Sequence, residues 1–318
     1  VNGKVMHTNN NFGESGAIGS AVIMGPTQAV KDGNPASAGY YQWQNYGASL
    51  GTPNPVEQLM AVDNTSIVNR YIGGLQVDYS IPFINGLRFN MNMATDQTKS
   101  NGHNNRPTTS PSTLTSTYWG KINDYNAKNT NDLFESYFNY TKDIESIKSK
   151  FDATAGYSWQ HFKRTSHSET NGYTDANHPA QESTITNFAS EYFLVSFFGR
   201  LNYTLMDRYL LTFTLRDDGS SKFSAGNRWG LFPSAAFAWK ISDESFMKNI
   251  QAVSNLKLRL GWGKTGQQDI KTASGTDYPS QAQYILSAIG SYYIIDGQYI
   301  PTLRPNTYDP DIKWEETT

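Results

Sequence analysis

The sequence predicts an all-β chain, a section of a large antiparallel transmembrane β-barrel, and three observations carry that reading. First, its 318 residues are 14% aromatic, with 20 Tyr, 16 Phe and 7 Trp, yet only 37% hydrophobic, and the mean hydropathy is −0.57. Second, about eight segments, each roughly ten residues long, alternate apolar and polar side chains with the period of a strand. Third, the connections between those segments alternate short and long. A barrel with tight turns on one side of a membrane and long loops on the other has that asymmetry.

The first stretch, 1–68, is rich in Gly, Asn, Ala and Pro and shows no sustained period, which predicts a mostly loop-like extracellular region with short elements. The barrel section is expected over 69–318. Its first hairpin pairs Tyr71, Gly73, Leu75, Val77 and Tyr79 with Leu87, Phe89, Met91 and Met93 across a tight Pro82–Gly86 connection. A polar stretch from Asp96 to Asp132 reads as a long loop. Phe134, Phe138 and Tyr140 then share a face, and Phe151, Ala153, Ala155, Tyr157 and Trp159 answer them after a short turn near Glu145. His161 to Ser190 reads as a second long loop. The third hairpin joins Phe193–Thr204 to Tyr209–Arg216, and the fourth joins Trp229–Lys240 to Leu256–Lys264.

Ser242 followed by Asp243, Glu244 and Ser245 has the form of a helix start, so one short turn helix is expected near 242–250. Beyond Gly266 another long loop is expected, with a new strand beginning at Ile312–Trp314.

Lipid accounts for the pattern as follows. Ten residues tilted near 45° cross an apolar layer of roughly 25 Å. Arg88, Asp152, Arg200, Arg216 and Lys257 all fall on the polar phase of their strands. On a lipid face an Arg at mid-depth costs about 2–4 kcal/mol, whereas a wet lumen tolerates it. The competing architecture is a soluble antiparallel protein whose apolar face packs a core. It predicts shorter, more equal loops and more aliphatic inner faces. The small residues Gly73, Ala153, Ala155 and Gly199 on the apolar phase sit awkwardly with either.

Composition narrows the functional classes. With 26 basic and 28 acidic side chains the net charge is −2, which gives no electrostatic footprint for nucleic acid. There is no cysteine, so disulfides and thiolate metal sites are excluded. No run approaches the roughly 18 apolar residues of a membrane helix. Val1–Asn10 has neither a basic nor an apolar region, so no signal peptide is expected within the chain.

Chemistry-bearing motifs are sparse. Gly261–Gly266 contains GxGxxG and GKT, but no helix pattern follows and the spacing of a phosphate loop is absent, so a strand end is expected. Asp217–Ser220 reads as a loop-closing turn rather than a calcium site. His7, His103, His161, His167 and His178 lack zinc-ligand spacing. No nucleophile–base pair stands out, so neither an enzyme nor a cofactor is expected. The loop aromatics Tyr40, Tyr41, Trp43, Tyr118 and Trp119 are the candidates for substrate contact, by stacking on sugar rings; packing of loop against loop is the alternative.

Several linked motifs resemble one family. Tyr209–Phe246, YLLTFTLRDDGSSKFSAGNRWGLFPSAAFAWKISDESF, is similar to a block common in SusC/RagA-like TonB-dependent transporters of Bacteroidota. LKLRLGWGKTGQQDI, YDPDIKWEETT and the upstream NPVEQLMAVDNTSIVNRYIGGLQVDYSI resemble further blocks of the same proteins, in the same order. The resemblance implies a barrel of about 22 strands in the outer membrane, filled by a plug. It implies import of oligosaccharides or peptides, driven by the inner-membrane TonB complex and capped by a SusD-like surface lipoprotein. The plug, the TonB-engaging segment and the closing strands have no counterpart here, so an internal barrel fragment is expected. The alternatives are a smaller outer-membrane porin, an outer-membrane enzyme, or a soluble glycan-binding β-protein that folds without detergent.

Overall fold

The computed structural model describes residues 1–43, 51–108, 110, 120–173, 183–247, 250, 252–269, 277–288 and 290–318. Its main element is a nine-stranded antiparallel sheet in which every strand pairs with its neighbours in sequence. The strands are β1 (Asn2–Asn11), β2 (Asp63–Ser80), β3 (Leu87–Arg106), β4 (Lys121–Ile144), β5 (Ser149–Asn171), β6 (Thr184–Leu205), β7 (Tyr209–Ser220), β8 (Trp229–Lys240) and β9 (Lys257–Gly263). Short connections β2–β3, β4–β5 and β6–β7 lie at one end. The turn at Gly86 shows why it is tight. Gly86 has φ +86°, and a Cβ there would stand on the Thr141 carbonyl of the neighbouring strand.

Register separates the two faces. Tyr79, Phe89, Phe138, Ala155, Gly199, Leu215 and Pro233 form one row across seven strands. Leu75, Met93, Phe134, Trp159, Val195, Gly219 and Trp229 form another. Ala155 and Gly199 stand side by side in the first row between Phe138 and Leu215; Ala155 is exposed and Gly199 half-buried, so they leave a shallow dip in the apolar face. Rings meet across strands, with Phe89 and Phe138 at 5.2 Å and Tyr157 and Phe197 at 5.3 Å between centroids. Phe197 and Leu260 remain 53% and 58% exposed. So large an open apolar surface marks a contact with lipid rather than water. Arg88, Asp152, Arg200, Arg216 and Lys257 all lie on the other phase.

The structure corrects the sequence reading in six places. The strands are far longer than ten residues. Much of the expected loops 96–132 and 161–190 is ladder, since β3 runs on to Arg106, β4 begins at Lys121, β5 ends at Asn171 and β6 begins at Thr184. Above the apolar belt both faces are wet, so polar residues occupy both phases, and the period vanishes while the backbone pairing continues. Within 1–68, Asn2–Asn11 is a ninth strand paired with β2, and α1 (Gly16–Ile23) and α2 (Pro55–Ala61) follow it. The expected helix at 242–250 is replaced by two 3₁₀ turns, Ile241–Asp243 and Ser245–Met247; 248–249 lie outside the described residues. Between the turns Glu244 is extended, and its carboxylate accepts from Tyr209 Oη, Trp239 Nε1 and Arg208 Nη1 at 2.6, 3.0 and 2.9 Å. Tyr209 and its neighbours hold that carboxylate below its usual pKa. Asp217–Ser220 is the end of β7 and not a loop.

Beyond Gly266, where one long loop is expected, the described residues of 264–318 form three small antiparallel pairs. β10 (Thr265–Gln267) pairs with β15 (Glu315–Thr317), β11 (Tyr284–Leu286) with β14 (Leu303–Pro305), and β12 (Tyr292–Ile295) with β13 (Gln298–Pro301). The expected strand at Ile312–Trp314 begins at Glu315 instead, because Trp314 is spent on packing. No described helix is long and apolar enough to cross a membrane.

Candidate functional site

The wet face of the sheet is where a polar solute could pass, and it is cross-linked rather than bare. Arg88 donates twice to Asp78, at 2.9 and 2.6 Å. Asp152 accepts from Thr141 at 2.9 Å, Asn202 at 3.1 Å and Asn139 at 3.2 Å. Arg216 donates to Asp218 at 2.6 Å and to Ser196 at 2.7 Å. Asp78 and Asp152 are thereby given donors from neighbouring strands, which fixes register as well as charge, whereas Asp218 is held by Arg216 of its own strand.

Segment 264–318 folds back onto this face at two anchors. The first is apolar: Phe223, Phe232 and Trp314 form the buried hydrophobic cluster of the described residues, with Leu194 and Ile312 against it. Phe232 lies on the polar phase of β8, so the cluster sits on the wet side. Trp314 Nε1 donates to the Arg228 carbonyl at 2.9 Å, and Ser224 Oγ to the Pro310 carbonyl at 2.8 Å. The second anchor is charged. Lys222, with a side chain only 6% exposed, reaches Asp269 at 3.3 Å and Asp277 at 3.5 Å, and its ammonium lies 4.1 Å from the centre of the Tyr192 ring. Asp277 also accepts from Arg164 at 2.8 Å and from Ser190. Burial pulls the Asp277 pKa upward, but Ser190, Arg164 and Lys222 outweigh it and hold the carboxyl below its usual range. Tyr278 donates to the Glu191 carbonyl, and Ser280 Oγ to that of Lys222 at 2.9 Å. Together the anchors make a strap against the inner wall of β5 to β8.

The excursion 12–62 is built differently. Asn54, 1% exposed, caps α2 by accepting from Val56 N and Glu57 N at 3.0 and 3.3 Å, while its amide donates to the carbonyls of Val30 and Tyr41 at 2.8 and 3.0 Å. Glu57 follows, equally buried. Burial pushes its carboxyl up, and nearby Ser110 and Arg106 offset this only in part. Arg106 itself pairs with Glu14 beside α1.

Of the five aromatic candidates, the structure brings two together and sets a third, Tyr40, against a lysine. Tyr41 and Trp43 meet edge-on at 5.7 Å, and Lys31 lies 5.2 Å from the centre of the Tyr40 ring. All three aromatics are half-buried. Tyr118 and Trp119 lie outside the described residues, as does His178. Among the described residues no group of three His, Asp or Glu is placed to hold a metal. Gly261–Gly266 ends β9 and enters β10, with Lys264 paired to Glu316 at 2.7 Å, so no phosphate loop forms there. Lys222, Asp277 and Trp314 were not identified as site residues from sequence, because their partners lie far away along the chain. Asn54 did carry a local signal, an Asn-Pro pair before an apolar run.

The family model for the β-barrel of TonB-dependent receptor-like proteins matches residues 9–318. The chain belongs to that family. The TonB-dependent receptor SusC of Bacteroides thetaiotaomicron is 35% identical over all of this barrel section, which spans 33% of that protein. The TonB-dependent receptor P26 of Formosa agariphila is 30% identical over 94% of the section and is spanned to 30%. Among solved structures, the RagAB peptide transporter superposes with TM-score 0.69 at 20% identity, over 86% of this chain and 30% of that one. The open-open state of the RagAB peptide importer gives 0.68 at 20% identity, over 92% and 30%. The chain thus spans about a third of the proteins it matches. It is a SusC-like section of TonB-dependent receptor barrel in the outer membrane, and its apolar face meets lipid.

Proposed function

We propose that this section forms part of the wall of an outer-membrane importer for oligosaccharides or peptides, driven by the inner-membrane TonB complex through parts of the protein beyond this chain. The observation that carries the reading is the two-faced ladder: apolar outward, and inward a cross-linked polar wall with a strap folded on it. Such a wall suits gated passage of a polar solute, with no chemistry done on it. Kinship with SusC and the fold of the RagAB peptide importer support the substrate classes. On the same basis the partner above the pore is a SusD-like surface lipoprotein; the net charge of −2 gives nucleic acid no electrostatic footprint.

The excursion 12–62 is placed outside the cell, on the same side as the strap. Tyr40, Tyr41, Trp43, Tyr118 and Trp119 are assigned to solute contact there. The test is deletion of the intact gene and growth on oligosaccharides or on peptides as sole nutrient. Loss of growth on one class, restored by the intact gene, is expected, and about tenfold weaker restoration by Trp43→Ala supports the aromatic assignment. Undiminished uptake of both classes after deletion overturns the import reading.

A further inference from the structure

Above the apolar belt the outward face carries a basic patch that import does not require. Lys99 of β3 and Lys128 of β4 stand directly opposite one another in the ladder, and both are exposed. Lys163 of β5 opposes Thr130, one diagonal step from Lys128. Opposed residues in such a ladder have Cα atoms about 4.5–5.5 Å apart, and like charges so placed destabilise it. Among the described residues neither Lys99 nor Lys128 has an ionic partner, whereas Lys163 is paired with Glu191 at 3.3 Å. Around the two free ammonium groups, the same face presents Asn69, Gln97, Asn101, Asn126, Thr130 and Thr165, all neutral hydrogen-bonding groups.

The nearest carboxylates on this face are already engaged. Asp132 accepts from Thr95 at 2.7 Å and faces His161 at 3.2 Å. Asp124, as near to Lys128 as Asp132 is, pairs with His103 at 2.6 Å, and Glu191 faces His161 at 2.8 Å as well as Lys163. Height completes the case. Phe193, opposite His161, ends the apolar belt on β6, and Lys128, opposite Thr165, lies four residues beyond that level on the same phase. At about 3.3 Å per residue and a tilt near 45°, that is roughly 10 Å above the hydrocarbon, at the level of lipid headgroups.

We propose that Lys99 and Lys128, with Lys163 at the margin, hold the phosphate of an anionic lipid headgroup in the outer leaflet. A phosphate between the two ammonium groups removes their repulsion and takes hydrogen bonds from the surrounding amides and hydroxyls. The site is a lateral one, distinct from the lumen. The test uses the intact receptor in nanodiscs of phosphatidylcholine with a minority of phosphatidic acid, reading retained lipid by native mass spectrometry. Wild type is expected to retain phosphatidic acid, and K99Q/K128Q to lose about tenfold of it, while K4Q/K257Q, on the inner phase, retains it. K99R/K128R preserves retention. Should the double variant lose its heat-modifiable folded band, K99Q and K128Q alone are read, each with about threefold loss. Equal retention by wild type and the glutamine variants, or none by wild type, overturns the proposal. Stabilisation by inorganic phosphate alone, equal to that by the lipid, assigns the patch to a soluble anion and overturns it as well.

Discussion

The excursion 12–62 and the strap 264–318 both leave the sheet on its long-loop side and fold back, yet they are anchored by opposite means. The excursion is held by a buried amide, Asn54, and beside it stands a buried carboxyl, Glu57, that burial drives toward its neutral form. The strap is held by a carboxylate, Asp277, kept ionised between Arg164 and Lys222, and by one apolar cluster around Trp314. Burial of an acid therefore has no fixed consequence: the number of cations and donors brought to it decides which protonation state the fold selects. Two anchors on one protein thus respond to acid with opposite sign.

The largest way to break this comparison is to remove the apolar anchor. Trp314→Ala in the intact receptor is expected to cost about 3–5 kcal/mol locally. Hydrogen exchange should then rise across residues 309–318 while α1 and α2 stay protected; a rise in both shows that the segments are not independent. Next in size, Asn54→Ala removes a helix cap and leaves the Val30 and Tyr41 carbonyls without their donor, at about 1–3 kcal/mol. Its readout is proteolytic cleavage within 25–43, with the strap intact.

Acid sharpens the contrast. The folded pKa of Asp277 is depressed, so its contribution is present above the unfolded carboxylate value of about 3.9 and is lost as pH falls through the folded one. Exchange in residues 277–280 should therefore increase on acidification, and Asp277→Asn should remove that dependence. Glu57 has a raised folded pKa. Its contribution is complete below the unfolded value of about 4.3 and is lost as pH rises through the folded one. Glu57→Gln is the smallest change, within about 1 kcal/mol at acidic pH, and is expected to flatten the alkaline loosening of α2. Parallel pH responses of the two segments would falsify the assignment.

What the sequence reveals, and what it hides, follows from where water lies. At membrane depth one phase of each strand must be apolar and the other is free, so Leu75, Val77 and Tyr79 against Gln76 and Asp78 announce a strand by alternation. A few residues higher, Thr95 and Asp96, or Lys99 and Ser100, are polar on both phases, and the strand becomes invisible although its hydrogen bonds continue unbroken to Arg106. Asn2–Asn11 is missed for a related reason. With Asn and His where apolar residues would alternate, it is a strand because β2 offers it an edge. Glu244 misled in the other direction: an acidic first turn suggested a helix, but Tyr209, Trp239 and Arg208 claim the carboxylate from other strands. Of the candidate site, the aromatics were legible as residue types, whereas the pairing of Lys222 with Asp277 depends on closure across more than fifty residues and has no local mark.

The length of the strands has a practical consequence. At about 3.3 Å per residue the 24 residues of β4 run roughly 80 Å, while crossing the hydrocarbon consumes roughly 35 Å of strand. The remainder stands as a stiff collar some 30 Å tall at the same tilt, hydrogen-bonded on both sides. The strand ends at its rim, such as Arg106 of β3 and Lys121 of β4, stand clear of the lipid surface and far from the belt below. Such a rim is a suitable place to graft an epitope tag or a foreign recognition loop for surface display.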